Sequence, residues 1–226
     1  MSEIGIIGSG NIGSTVARLA VDAGHDVVVA NSRGPASLAD LVGRLGPRAR
    51  AGTVEEAAAA RDLVVLTIPL GRVRDLPPDL LAGKVVVDTC NYYPERDGDT
   101  AELDSHELTT SELVQRHFPG ARVVKAFNNI FAANLGVLQR PAGSPERTTL
   151  LTAGDDEDAE RVVAAFLDSL GYDVLDTGSL ADSWRFQRDQ PAYAGAYTED
   201  GDPERPRRTT GEDLLALLER ADRSVR

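Results

Sequence analysis

The sequence predicts an α/β protein, a doubly wound parallel sheet with a small C-terminal extension. Three observations carry this. Short runs apolar on both faces alternate with segments of helical spacing from residue 3 to about residue 176, as in a parallel sheet covered by helices. The first of these runs leads directly into GSGNIG, which opens the first helix. No sharp linker interrupts the alternation, so the 226 residues divide into a core domain over 1–178 and an extension over 179–226.

Residues 3–7, EIGII, form the first strand. In residues 11–24, Ile12, Val16, Leu19 and Ala20 share one helical face, and Gly24 suits the C-terminus. Residues 25–30, HDVVVA, are the second strand. Residues 37–46 read as a helix capped by Ser37. A short strand over 48–53 and an alanine-rich helix over 54–60 follow. DLVVLTIP, residues 62–69, is a buried strand; Pro77 and Pro78 break what comes next, and KVVVDTC, residues 84–90, is another. Residues 91–108 are polar and rich in turn formers, a loop longer than most connections. Helix returns over 109–120, capped by Thr110 or Ser111, then the strand ARVVKAF over 121–127 and a helix over 128–139. Residues 147–154, 155–171 and 172–178 read strand, helix, strand. From Ser183 to Thr210 the pattern dissolves. An amphipathic helix over 211–225 carries Leu214, Leu215, Leu217 and Leu218 on or near one face, a side that must be buried on the domain or across a two-fold dimer. Packed there, the extension would wall an acceptor site and offer Arg185 and Arg188 to an anion.

The net charge of −12 argues against nonspecific nucleic-acid binding and against a basic membrane-surface role. An anionic ligand needs a local cluster of positive groups. Cys90 is the one cysteine, so no intrachain disulfide is possible, and His25, His106 and His117 are too scattered for zinc. No apolar run approaches the ~20 residues of a membrane helix. The opening MSEIGIIGSG has no basic region before an apolar stretch, so no signal peptide is expected. A cytoplasmic enzyme or binding protein without a metal is the expectation.

GSGNIG places Gly8, Gly10 and Gly13 in the GxGxxG pattern of dinucleotide binding, between a strand and a helix in a βαβ unit. Gly8 permits the tight turn, Gly10 lets the backbone approach a pyrophosphate, and Gly13 lets helix and strand pack closely. Ser9, Asn11 and Ile12 complete the loop, whose helix N-terminus offers N–H groups to the anion. The NAD-binding version closes the second strand with an acid about 20 residues on. Here Asn31, Ser32 and Arg33 stand there. They remove the repulsion a carboxylate would exert on a 2′-phosphate and supply an amide, a hydroxyl and a guanidinium fork. Ser37 is placed to add a hydroxyl or N–H. The reading is NADP(H), not NAD(H).

Ligands of an open α/β sheet lie beyond the carboxyl ends of its strands. That selects Thr67–Ile68–Pro69, Thr89–Cys90–Asn91 and Lys125 through Asn129. Ile68 and Pro69 suit the wall of the nucleotide site; Asn91 and the backbone near Ala126 suit a carboxamide. Lys125 and Asn128 are the weak candidates for a chemical role, Lys125 equally a structural lysine. Cys90 reads as a packed thiol. Arg72 and Arg74 either reach an anionic second ligand or form a solvated face. With apolar and amide groups and no His, Asp or Glu constellation at these ends, hydride transfer by positioning is expected, with no catalytic acid.

IGIIGSGNIG, the NSR after the second strand, LTIP and VVKAFNNI together resemble the coenzyme F-420-dependent NADP oxidoreductases, over roughly the first 180 residues. The resemblance implies a small homodimeric protein that passes a hydride between NADP(H) and a deazaflavin, coenzyme F-420, held over the nicotinamide. It implies that Ser9, Ser32 and Arg33 touch the NADP phosphates, and it sets Asn128 where the family's deazaflavin-binding stretch usually has a histidine. The loop with NYYPERDGD is longer than in those enzymes, and the tail from SWRFQRDQPAY is absent from them. Two other functions compete. Reduction of a small imine or carbonyl requires a proton donor, for which Tyr92, Tyr93 and Lys125 are the candidates. An NADP(H) sensor without turnover shares the fold.

Overall fold

The computed structural model describes residues 1–224; Val225 and Arg226, the end of the expected last helix and of the extension, lie outside the described residues. Eight strands form one sheet: β1 Glu3–Ile7, β2 Asp26–Ala30, β3 Ala49–Ala51, β4 Leu63–Leu66, β5 Val85–Asp88, β6 Arg122–Lys125, β7 Thr148–Gly154 and β8 Tyr172–Asp176. Their order is β3-β2-β1-β4-β5-β6-β7-β8. The first six run parallel, and the order reverses beside β1, the switch point where such sheets bind ligands. β7 turns antiparallel to β6, and β8 is parallel to β7, so the sheet is mostly rather than wholly parallel.

The helices are α1 Asn11–Asp22, α2 Ala39–Leu45, α3 Val54–Ala58, α4 Pro94–Asp97, α5 Ala101–Asp104, α6 Thr110–His117, α7 Ala132–Leu135, α8 Glu157–Ser169 and α9 Gly211–Leu218. They cover both faces. One core cluster joins α1, α8 and the sheet; the other packs Val114, Phe118 and Leu70 on the opposite face.

Several elements differ from expectation for local reasons. Pro35 starts a 3-10 turn over Pro35–Leu38, so α2 begins at Ala39 and Ser37 caps nothing. Thr109, not Thr110 or Ser111, caps α6, in a reciprocal box with Glu112. Pro94 starts a helix inside the polar loop. In residues 128–139 only α7 is helical, because Phe127 takes a left-handed φ of 60° and turns the chain out of β6.

The extension has no core of its own. Phe186, Ala192, Ala196, Tyr197, Leu214 and Leu218 join the same cluster as α1 and β1. The leucine face of α9 is narrower than expected, since Leu215 is 51% exposed.

Candidate active site

The glycine loop is held by backbone packing. A Cβ on Gly8 would lie 2.1 Å from the Thr67 carbonyl oxygen, and Gly8 has a φ of 119° that favours glycine. A Cβ on Gly13 would lie 2.1 Å from the Gly8 carbonyl oxygen. Gly10 differs, with nothing within 4 Å of the same added atom. Gly8 and Gly13 therefore serve the fold, and Gly10 leaves space for a ligand.

That space faces the start of α1. Gly10 is its N-cap, with no side-chain cap and no acid in the first turn. The first recorded helical amide bond is Ser14 N–H to the Gly10 carbonyl, which leaves the amides of Asn11, Ile12 and Gly13 without a protein acceptor among the described residues. Asn11 is exposed, whereas the Ile12 side chain leans on the core.

Asn31 organises the turn after β2. Its Nδ2 donates to Ser9 Oγ and Ser37 Oγ, both at 3.0 Å, and its Oδ1 accepts the Arg33 amide at 2.9 Å. The Asn31 side chain is thus a tie between the glycine loop and the Arg33 turn. The Arg33 guanidinium makes no ion pair or hydrogen bond with another described residue. Ser9, Ser32, Arg33, Thr67, Ile68, Pro69 and Arg72 line a cleft of about 560 Å³. Arg72 is paired there with Asp75 at 3.2 Å, and Arg74 lies outside it, bonded to the Gly71 carbonyl.

The β5 and β6 ends are different. Lys125 is fully buried, and its Nζ donates to the Cys90 carbonyl at 2.9 Å, Thr110 Oγ1 at 2.8 Å and Ser111 Oγ at 3.0 Å. All three ammonium donors are spent, and buried Asp88 lies 3.6 Å away. Lys125 is a structural clamp with no proton to offer a substrate. The Ala126 amide, expected near a carboxamide, donates instead to the Asp88 carbonyl. Burial, and then Asp88, push the Cys90 thiol well above its ordinary value, so it stays an inert thiol.

Asn91 and Asn128 do not line the cleft. Asn91 Nδ2 donates to the Asn128 carbonyl at 2.7 Å and reaches Tyr193 Oη at 3.4 Å. Asn128 Nδ2 donates to the Phe186 carbonyl at 3.0 Å, and Asn129 Nδ2 to the Ala192 carbonyl at 2.9 Å. The asparagines dock the extension onto the sheet, and Asn128 Oδ1 is left buried without a partner.

Tyr193 was invisible to sequence reasoning. Its hydroxyl lies 2.8 Å from that of Tyr93, 100 residues earlier. Two guanidiniums stack on the Tyr93 ring, Arg96 at 4.6 Å and Arg188 at 4.7 Å from its centre. Arg188 is paired with Glu95 and Asp189, so it is not free for an anionic acceptor; Arg185 is half-buried and has no such partner. Tyr92 points elsewhere, to Asp104 and a second cavity of about 240 Å³ beside Trp184. The signal for Tyr193 was only one of four aromatics in an irregular stretch.

A glycine loop at a topological switch point, an arginine after β2 unpaired among the described residues and a cleft between them are the features of a dinucleotide-binding protein. Residues 3–92 match the family described as NADP oxidoreductase, coenzyme F420-dependent. The chain is an NADP-dependent oxidoreductase whose N-terminal part is similar to this family. It is 28% identical to the F420-dependent NADP reductase of Methanothermobacter thermautotrophicus, over 79% of this chain and 82% of that one. It is 32% identical to metalloreductase STEAP3 of Rattus norvegicus over 79% of this chain, and it spans only 34% of the rat protein's length. The structure of a hypothetical protein from Sinorhizobium meliloti superimposes with a TM-score of 0.75 at 35% identity, covering 86% of this chain and 94% of that one. An imine reductase from a Pseudomonas species shares the fold alone, at 20% identity and a TM-score of 0.55, over 96% of this chain and 60% of that one. No helix among the described residues is long and apolar enough to cross a membrane.

Proposed function

We propose that the chain transfers a hydride between NADPH and coenzyme F-420. NADP(H) fits the residues present. The open amides of α1 suit the pyrophosphate, the unpaired Arg33 suits the 2′-phosphate, and Ile68 and Pro69 wall the path between strand ends. Bound there, the nucleotide supplies the hydride. The protein orients it and excludes water.

The observation that carries the reading is the state of the strand ends beyond β5 and β6. Lys125 and Asp88 are committed to the fold and Cys90 is inert, so no charged acid–base pair faces the acceptor. Such a site suits transfer between two flat rings, where rate comes from orientation. The similarity to the Methanothermobacter reductase over most of its length supports the deazaflavin as acceptor. The test is to mix protein and NADPH with F-420, a free flavin, a cyclic imine and a small carbonyl, and to follow NADPH absorbance. Oxidation with F-420 alone is expected. Turnover with the imine or carbonyl but not F-420 would replace the reading with an imine or carbonyl reductase. Tight binding with no turnover on any acceptor would leave an NADP(H) sensor.

A further inference from the structure

The turn after β4 brings a second guanidinium and a carboxylate into the nucleotide cleft. Pro69 precedes a 3-10 turn over Leu70–Asp75. In such a turn, side chains at i and i+3 eclipse. Leu70 and Val73 stand in that relation and are buried in the core of their face. Arg72 and Asp75 stand in the same relation on another side. Both line the cleft, where Arg72 Nη1 donates to Asp75 Oδ2 at 3.2 Å. Arg74 falls between them in sequence and lies outside the cleft. The residues that line the cleft thus include two guanidiniums, Arg33 and Arg72, and one carboxylate, Asp75.

Resting on the reading of this cleft as the NADP(H) site, we propose that Arg72 is a second determinant of nucleotide affinity. It acts by cancelling the charge of Asp75, not by recognising the 2′-phosphate. NADP(H) brings a pyrophosphate and a 2′-phosphate to a chain whose net charge is −12. The cleft must therefore be locally positive. With Arg72 present, the pair is neutral and Arg33 leaves the lining positive. Without Arg72, Asp75 offsets Arg33 and the lining has no net charge, although Arg33 itself is untouched.

The pair does little for the fold. Its side chains are 74% and 55% exposed, and an ion pair so open to water adds almost nothing to stability. Its effect falls on what enters the cleft. Arg33 and Arg72 then divide the work. Arg33 has a free guanidinium fork and discriminates by contact with one group of the ligand. Arg72 sets the charge that any anionic dinucleotide meets. Its effect should reach NADPH and NADH alike, scale with the charge of each, and fade with salt. The screening length falls from about 30 Å at 0.01 M to about 8 Å at 0.15 M and 3 Å at 1 M.

The experiment uses the full chain, Arg72→Gln, Asp75→Asn and the double variant. NADPH and NADH are titrated by fluorescence at about 0.01 M and about 1 M salt, with no acceptor present, so the result does not depend on what the protein reduces. At low salt we expect Arg72→Gln to weaken NADPH about tenfold and NADH about threefold, on the scale of one unit charge near a multiply charged ligand. Asp75→Asn should tighten both by similar factors. The double variant restores the net charge and should bind within about twofold of the wild type. At high salt the differences should vanish. Each variant should melt like the wild type. Unchanged affinities in Arg72→Gln at low salt overturn the proposal. So does a double variant as weak as Arg72→Gln alone, which would make Arg72 a direct contact. A loss for NADPH with none for NADH would give Arg72 the 2′-phosphate and also overturn it. A wild type that binds neither nucleotide overturns the NADP(H) reading and the proposal together.

Discussion

The two ends of the site are built on opposite principles. At the phosphate end the groups that would bind are left open: among the described residues the amides at the start of α1 have no acceptor, the Arg33 guanidinium has no partner and Gly10 faces empty space. At the acceptor end nearly every polar group is already used. Lys125 spends three donors on the fold, and the asparagines after β6 hold the extension. The difference teaches where binding energy and stability reside. Open groups cost little while solvated and gain on binding. Buried, mutually satisfied groups gain nothing from a ligand but cost much when broken.

The largest expected effect tests the closed end. Lys125→Met removes the ammonium but leaves Asp88 buried beside it. Removing one member of a buried pair costs about 3–5 kcal/mol. Urea unfolding should show that loss. A variant nearly as stable as the wild type would mean that Asp88 takes up a proton at little cost and that this end is not closed in the sense argued.

The open end gives the converse result. Arg33→Ala removes a charge-assisted contact to the 2′-phosphate, worth about 1.5–3 kcal/mol, or roughly ten- to a hundredfold in NADPH affinity. NADH affinity should hardly move, and stability should stay within about 0.5 kcal/mol because the side chain is exposed and unpaired. Equal weakening of both nucleotides would remove the assignment of Arg33.

This contrast also explains what was legible in the sequence. The phosphate end is local: GSGNIG and the Asn31–Ser32–Arg33 turn are contiguous motifs whose residues act within one βαβ unit. The strands were legible too, since a strand buried on both faces has a continuous apolar pattern. The acceptor end is assembled from residues far apart, such as Asn91 with Tyr193 and Asn129 with Ala192. No spacing encodes those contacts. The polar residues at 91, 128 and 129 read as ligand groups because nothing nearby in sequence shows the carbonyls that occupy them. The expected helix over 128–139 failed at its start for the same reason, as Asn128 and Asn129 serve distant partners rather than a helical ladder.

Two glycines divide the open end further. Gly13→Ala drives a methyl into the Gly8 carbonyl and should destabilise the fold by about 1–3 kcal/mol, as overpacking does. Gly10→Ala has no neighbour to strike and should melt like the wild type. Its methyl enters the ligand's space, so NADPH affinity alone should fall. Thermal melting and a fluorescence titration of both variants separate the two roles. A Gly10→Ala protein that binds NADPH as before would show that the pyrophosphate does not approach there.

The smallest effect lies at neither end and serves as the reference for both. Glu160 on α8 packs over Gly154, where an added Cβ would lie 2.8 Å from its Cγ. Burial first, and then the carboxylates of Asp176, Asp155 and Glu157, push its carboxyl up to about 7. A carboxyl raised in this way binds its proton more tightly in the fold than in the unfolded chain. Its contribution to stability is complete below the ordinary glutamate range and is lost as pH rises through about 7. Because the side chain is only partly buried, screening trims the effect to about 1 kcal/mol. Glu160→Gln keeps the shape and removes the charge. The variant should melt with the wild type near pH 5 and above it at pH 8, by a few degrees. NADPH affinity and turnover should not change at either pH. A variant that melts like the wild type at both values would show that Glu160 ionises in the fold as it does in water. One that also loses NADPH would tie the far edge of the sheet to the open end, and the separation of the two ends would fail.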